Sequence, residues 1–485
     1  MNDSPFGRRH GDDPSQDPVN EPDLVDDFFA KHRDAIEPAT PNDVHWQQVV
    51  QTARRSPMRT AGKAWGGVIA AGVAAMLVLA GVWTWKQEPF GAGNIRPGQT
   101  VAASEDGSER GTADAGDDMG AAQLPQGVPA TFRTWSVSNA GSGTLYNLGS
   151  TECGSDICPT LLRSGADGES WQAVHIFNGT DTSSASGADV PNIQPDGALS
   201  DVRFVDSQVG YVYGGDLWVT SDRGASFDKV NHPGQTVLDL EIWEGQVYLL
   251  TADGCVQGTC SGPVYVSFSS RANPSSFTTV DSAALSGPID DASVVVKDAL
   301  VIVQTSNDGR PTQQPWMLAA ERLEPMKAPE VCGSSPLEAV TITASTDAHM
   351  FALCRLSQDR GAFRVVSSND QAQSWVEHSV GTLRLPQIGQ LSLGAADPQH
   401  LVVTVGGPRG GGTSSGDDAR RVLQISADGG RSWTVPRFPQ PPPVNGFDWT
   451  GSPGGAEFYA VPRTTPGFWV SSDFGKSWKV VVPKS

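Results

Sequence analysis

The sequence is short of positive charge: lysine and arginine number 34 against 54 aspartates and glutamates, a formal net charge of −20. Nucleic acid and anionic lipid surfaces repel a chain of that sign, so neither is expected as the main partner. Tyrosine is scarce, with six in 485 residues. Cysteine is missing before residue 153, and the eight histidines have no metal-ligand spacing, so no metal or cofactor is expected. By contrast, 54 glycines and 14 tryptophans point to many short strands with an aromatic at a repeated position.

One segment carries the compartment reading. No charge occurs between Lys63 and Lys86, and the 22 residues AWGGVIAAGVAAMLVLAGVWTW (64–85) form a continuous apolar stretch. As a helix this spans roughly 33 Å, enough for the hydrocarbon core of a bilayer. Trp65, Trp83 and Trp85 fall at its ends, where indole rings prefer the interface. The stretch begins too deep in the chain for a signal peptide, and no A-x-A site follows it. Arg54, Arg55, Arg59 and Lys63 precede it, while Lys86 alone follows closely. The positive-inside rule then places residues 1–63 in the cytoplasm and the remainder outside, as a single-pass protein of the cell membrane.

The cysteines agree with export. All six follow the apolar segment, and their spacing predicts disulfides Cys153–Cys158, Cys255–Cys260 and Cys332–Cys354. Residues 1–63 read as a polar tail with two short helical pieces, around LVDDFFAKHRDAI and from Asp43 through Arg55. Residues 86–130, rich in Gly, Ala and Asp, read as a flexible stalk with a reach of roughly 35 Å.

From residue 131 to 485 a repeat takes over. An octapeptide with Ser or Thr first, Asp third, Gly fifth, Ser seventh and an aromatic last is complete as TSDRGASF (220–227), SADGGRSW (426–433) and SSDFGKSW (471–478). SNDQAQSW (368–375) departs only at Ala372, and SGADGESW (164–171) has its acid one place late, at Asp167. SRANPSSF (270–277) keeps only its ends. Successive starts are 56, 50, 98, 58 and 45 residues apart, so a copy without its box is expected near residue 320, in WMLAAERLEPMKA (316–328). Seven units result; six is the alternative if that copy is not a regular unit.

Alternating apolar and polar runs around each octapeptide, such as LSDVRFV, GYVYGG, LWVTSD and SFDKV, predict four strands per unit. Four strands repeated around an axis make an all-β, seven-bladed propeller. Within each box, Asp222, Asp370, Asp428 and Asp473, with Asp167 in the displaced copy, are expected to accept hydrogen bonds from turn amides. Trp171, Phe227, Trp375, Trp433 and Trp478 are expected to pack between neighbouring sheets. These are structural roles, and no catalytic residue is assigned.

FVDSQVGYVYGGDLWVTSDRGASF resembles the repeat of the Asp-box, or bacterial neuraminidase repeat, propellers. That superfamily holds sialidases and xyloglucanases as well as receptors and assembly factors, so the resemblance implies a fold more sharply than an activity. A sialidase implies an arginine triad, a Tyr–Glu nucleophile pair and an Asp acid/base. The first arginine motif survives only as Phe132-Arg133-Thr134-Trp135; Phe363-Arg364 lies in a middle blade, and Tyr459 sits beside Glu457 on one strand. The reading adopted is a binding or assembly module for a protein or cell-envelope glycan. The alternative is a divergent sialidase-like glycosidase.

If each box joins a third strand to a fourth, the boxes share one face, and the opposite face carries the insertions at 178–197, 305–315, 406–420 and 436–446. Gly-rich GGPRGGGTSSG lacks the Lys-Ser/Thr of a phosphate loop and is not expected to open a helix. Asn178-Gly179-Thr180 fits a glycosylation sequon, and Pro439–Pro443 reads as a stiff connector.

Overall fold

The computed structural model describes residues 127–485, apart from 166–167, 179–192, 298–299, 328, 330–331, 333–338, 346, 357–358, 379–381, 407–412 and 463–464. The expected tail, apolar segment and stalk as far as residue 126 lie outside these residues, as does Asp167. No helix among the described residues is long and apolar enough to cross a membrane.

Seven antiparallel sheets follow one another along the chain, each with its strands laid side by side in sequence order. The first strands are Arg133–Asn139, Leu199–Phe204, Thr236–Trp243, Asp291–Lys297, Ala339–Ala344, Gln390–Ala395 and Phe447–Gly454. Each lies against the first strand of the next sheet, and that of sheet seven lies against that of sheet one. The ring therefore closes as a seven-bladed propeller. The unit inferred from the doubled spacing is a true blade, with Trp316–Ala319 and Arg322–Pro325 as its outer strands. Its turn takes only Ala320 and Glu321, both at positive φ (48° and 63°), as a two-residue hairpin does. Blade six has three strands, its fourth reduced to one bridge between Ile425 and Thr434.

Strand alternation sends every second side chain toward one neighbouring blade and the rest toward the other. The buried residues accordingly fall into seven clusters, one per seam. Tyr146, Leu161 and Val202 fill the seam of blades one and two. Phe351, Val365 and Leu401 fill that of five and six. Each such side chain contributes about 1.5–3 kcal/mol when removed from water, so the seams carry the stability. The last seam joins the chain ends. Val137 and Leu162 meet Phe468 there, Trp171 N donates to Lys484 O (3.1 Å), and Ala173 N donates to Gly127 O (3.1 Å).

Candidate functional site

Four octapeptides adopt one geometry. They follow the third strands Leu217–Thr220, Asp359–Ser368, Leu423–Ser426 and Phe468–Ser471, so they share one face. In TSDRGASF the Thr220 hydroxyl donates to Asp222 Oδ1 (2.8 Å) and accepts from Gly224 N (3.0 Å). Asp222 Oδ1 also accepts from Ser226 N (2.9 Å), and Oδ2 from the Ser226 hydroxyl (2.7 Å). The same bonds recur around Asp370, Asp428 and Asp473.

These donors hold the charge on the acids. At Asp370 the Ser374 hydroxyl and amide, followed by the Ser368 hydroxyl, bring the carboxyl down to about 2. Burial works against the charge at Asp222, Asp428 and Asp473, yet the paired serine donors outweigh it and leave these carboxyls below their ordinary value. A carboxylate whose oxygens are taken up within its own turn offers a ligand little.

The box aromatics wedge against the preceding blade. Phe227 stands 5.0 Å from the Phe177 ring of blade one, and Trp375 Nε1 donates to Lys327 O (3.1 Å) of blade four. Trp433 packs on blade five, Trp478 on blade six and Trp171 on blade seven. The worn copy in blade three has lost its box to a tight turn between Ser270 and Asn273 but keeps Phe277, 6.0 Å from Tyr211 of blade two.

The opposite face is built differently. Cys153–Cys158 closes the turn between the second and third strands of blade one. Cys255–Cys260 clamps a small hairpin in the corresponding connection of blade three, whose tip presents Val256 at 70% exposure. Cys332–Cys354 ties the entry of blade five to its second strand, Met350–Leu356, near the same face. All three predicted pairings are present. The clamped hairpin is fastened further by reciprocal backbone bonds of 2.8 Å between Cys260 and Ile289. In blade six, Ser414 N and Oγ both donate to Val444 O (2.8 Å each), joining the 406–420 and 436–446 insertions. Contrary to the expectation for the Gly-rich insertion, Gly416 caps one helical turn, Asp417–Arg420; two successive acids favour a helix start, although the turn ends at once.

Sequence reasoning missed a polar cluster at the inner edge of blades two to four. Arg203 donates to Val202 O (2.9 Å) and meets Glu241 at 3.4 Å. Asp239 accepts from Leu240 N (2.8 Å), from Val294 N of blade four (2.9 Å) and from the Tyr213 hydroxyl of blade two (3.3 Å). Burial and the neighbouring Glu241 charge push the Asp239 carboxyl up, against Arg203. An alternating Asp-Leu-Glu run was the available signal, but nothing local announced partners 26 and 55 residues away.

The sialidase-type residues do not assemble. Arg133 is exposed at the start of its strand, Arg203 is buried in blade two, and Arg364 pairs with Glu377 (3.3 Å) in blade five. The Tyr459 hydroxyl does donate to Glu457 Oε2 (2.8 Å), and Asn139 of blade one donates to that oxygen as well (2.9 Å). Tyr459 is 3% exposed, and burial first, then Glu457, raises its pKa. It ties blade seven to blade one.

No family model matches the chain, and no curated protein does. Among solved structures, the chain is similar to YCF48 bound to a D1 peptide, at 15% identity and TM-score 0.43 over 70% of this chain and 93% of that one. It is also similar to the GH74 enzyme of Niastella koreensis, at 13% identity and TM-score 0.43 over 75% of this chain but 55% of the enzyme. A PL25 ulvan lyase aligns at 10% identity and TM-score 0.39, over 76% of this chain and 96% of the lyase.

Proposed function

We propose that the chain is a membrane-tethered, extracytoplasmic binding module of the Asp-box propeller type. Its partner, a protein or a cell-envelope glycan, docks on the face opposite the boxes. The observation that supports this is the division of labour between the faces. Box carboxylates are consumed inside their own turns, while the other face carries all three disulfides, the joined insertions and a clamped hairpin with an exposed tip. Rigid scaffolds present ligand-binding loops in this way. The apolar segment at 64–85 and the basic residues before it support the tether and its orientation.

A photo-crosslinking side chain placed in the full chain tests the reading. At Val256 or Val444 it should capture an envelope component in intact cells, and at Lys476 on the box face it should not. Capture at Lys476 alone would refute the assignment of faces. The same protein should release no fluorophore from an aryl-sialoside between pH 4 and 8. Turnover abolished by Arg133→Ala would favour the glycosidase instead.

A further inference from the structure

The joint of blades two, three and four encloses an unequal set of charges. Asp201 and Arg203 stand on the first strand of blade two, and Tyr213 lies directly opposite Asp201 on its second. Asp239 and Glu241 are two apart on the first strand of blade three, so both carboxylates share one face, with Tyr248 opposite Glu241. Blade four adds Lys297, on which the Glu241 charge acts. Two cations therefore face three carboxylates, and the joint is one positive charge short. Arg203 is buried and engaged elsewhere as well: it donates to Val202 O (2.9 Å) and to Ser136 Oγ of blade one (3.4 Å), and meets Glu241 at 3.4 Å. The hydrogen bonds to Asp239 come from neutral donors, Leu240 N, Val294 N and the Tyr213 hydroxyl. That hydroxyl lies within reach of two acceptors, Asp239 Oδ1 (3.3 Å) and Leu240 O (3.4 Å). Asp239 stays partly exposed, so solvent protons reach it.

We propose that this joint is a proton-binding site that tightens the ring in acid surroundings. The proton comes from solvent and bonds to Asp239 Oδ1. The new O–H donates to the Tyr213 oxygen, and the Tyr213 O–H turns from Asp239 to Leu240 O. The neutral carboxyl keeps lone pairs for Leu240 N and Val294 N, so blade four is held in both states while the missing charge is supplied. Burial first, then the Glu241 charge, holds the Asp239 carboxyl above the ordinary carboxylate range, with Arg203 and the two backbone donors opposing. The folded chain then takes up this proton at higher pH than the unfolded one. Stability is gained as pH falls through the folded pKa, is complete below the unfolded value, and is lost as pH rises.

The full-length chain in detergent carries the test. Difference infrared spectra between pH 5 and 8 should contain the carbonyl stretch of a protonated carboxyl, which fades as pH rises. Asp239→Asn should remove it. Asp291→Asn, which deletes another acid raised by burial on the first strand of blade four, should leave the component that fades at the highest pH. Glu241→Gln relieves the shortage of positive charge and should move the fading down by about one pH unit or more. The melting temperature of wild type, taken relative to Asp239→Asn, should fall as pH rises over the same range; His175, His349 and His378 titrate in both proteins and cancel. A wild-type spectrum without the band, a band that survives Asp239→Asn unchanged, or a midpoint that Glu241→Gln does not move would overturn the proposal, and the first and last of these need no stable Asp239 variant.

Discussion

Exchanging the fifth box residue tests the turn geometry in two directions. Gly430 has φ 86° and Ala372, its counterpart, φ 62°, so both turns need the left-handed region. A Cβ on Gly430 would stand 2.6 Å from Val365 Cγ1, in the filled seam of blades five and six. Gly430→Ala therefore combines a conformational cost of about 1–2 kcal/mol with an overpacking cost of about 1–3 kcal/mol. The expected loss is about 2–5 kcal/mol. Ala372→Gly removes the same conformational cost but also a buried methyl worth about 0.8 kcal/mol. Removing it leaves a net change within about 1 kcal/mol of zero. Urea denaturation of the two variants beside wild type, with the slope checked for constancy, measures both. Equal losses from the two substitutions would refute the claim that packing against the preceding blade fixes the fifth position.

Asp428→Ala removes the acceptor for Ser426, Ser432 and the turn amide, and should cost about 1–3 kcal/mol in denaturant titration. Asp370 is held below its unfolded pKa, so its contribution is complete above about pH 4 and is lost as pH falls toward 2. Asp370→Asn should flatten that part of the melting-temperature profile, and an unchanged slope would contradict the assignment. Removing Cys332–Cys354, which spans a separation of 22 residues, should destabilise the chain by up to about 3 kcal/mol; non-reducing peptide mapping should first recover the three predicted pairs. Protease added to intact spheroplasts should digest the propeller and spare an N-terminal tag; a protected propeller would reverse the orientation.

How much of this was legible depended on where each interaction is encoded. A box is local: Asp222 and its donors lie within seven residues, so composition and order reveal the turn. Blade four was legible only through arithmetic, because Ala320–Glu321 replaced the box with a shorter hairpin that leaves no motif. The reduction of the fourth strand in blade six to the Ile425–Thr434 bridge had one signal, Pro436, which opens the 436–446 insertion just after the box aromatic Trp433 and cuts the strand short. Cross-strand partners such as Tyr248 and Phe268 are set by strand register, which no local motif records.

The inner edge shows why polar residues near the channel do not amount to a site. First strands are edge strands, and their inward amides and carbonyls need partners that their own sheet does not supply. The adjacent blade supplies several. Ser136 and Ser138 of blade one accept from Val202 N (3.3 Å) and Phe204 N (2.8 Å) of blade two. Asp239 takes Val294 N (2.9 Å) of blade four, and Gln304 brackets Ile342 of blade five, accepting from its N (2.7 Å) and donating to its O (2.6 Å). Asn139 of blade one reaches Glu457 of blade seven (2.9 Å) to complete the ring. Each bond substitutes a side chain for a missing strand, so the polarity of the inner edge is consumed in holding blades together.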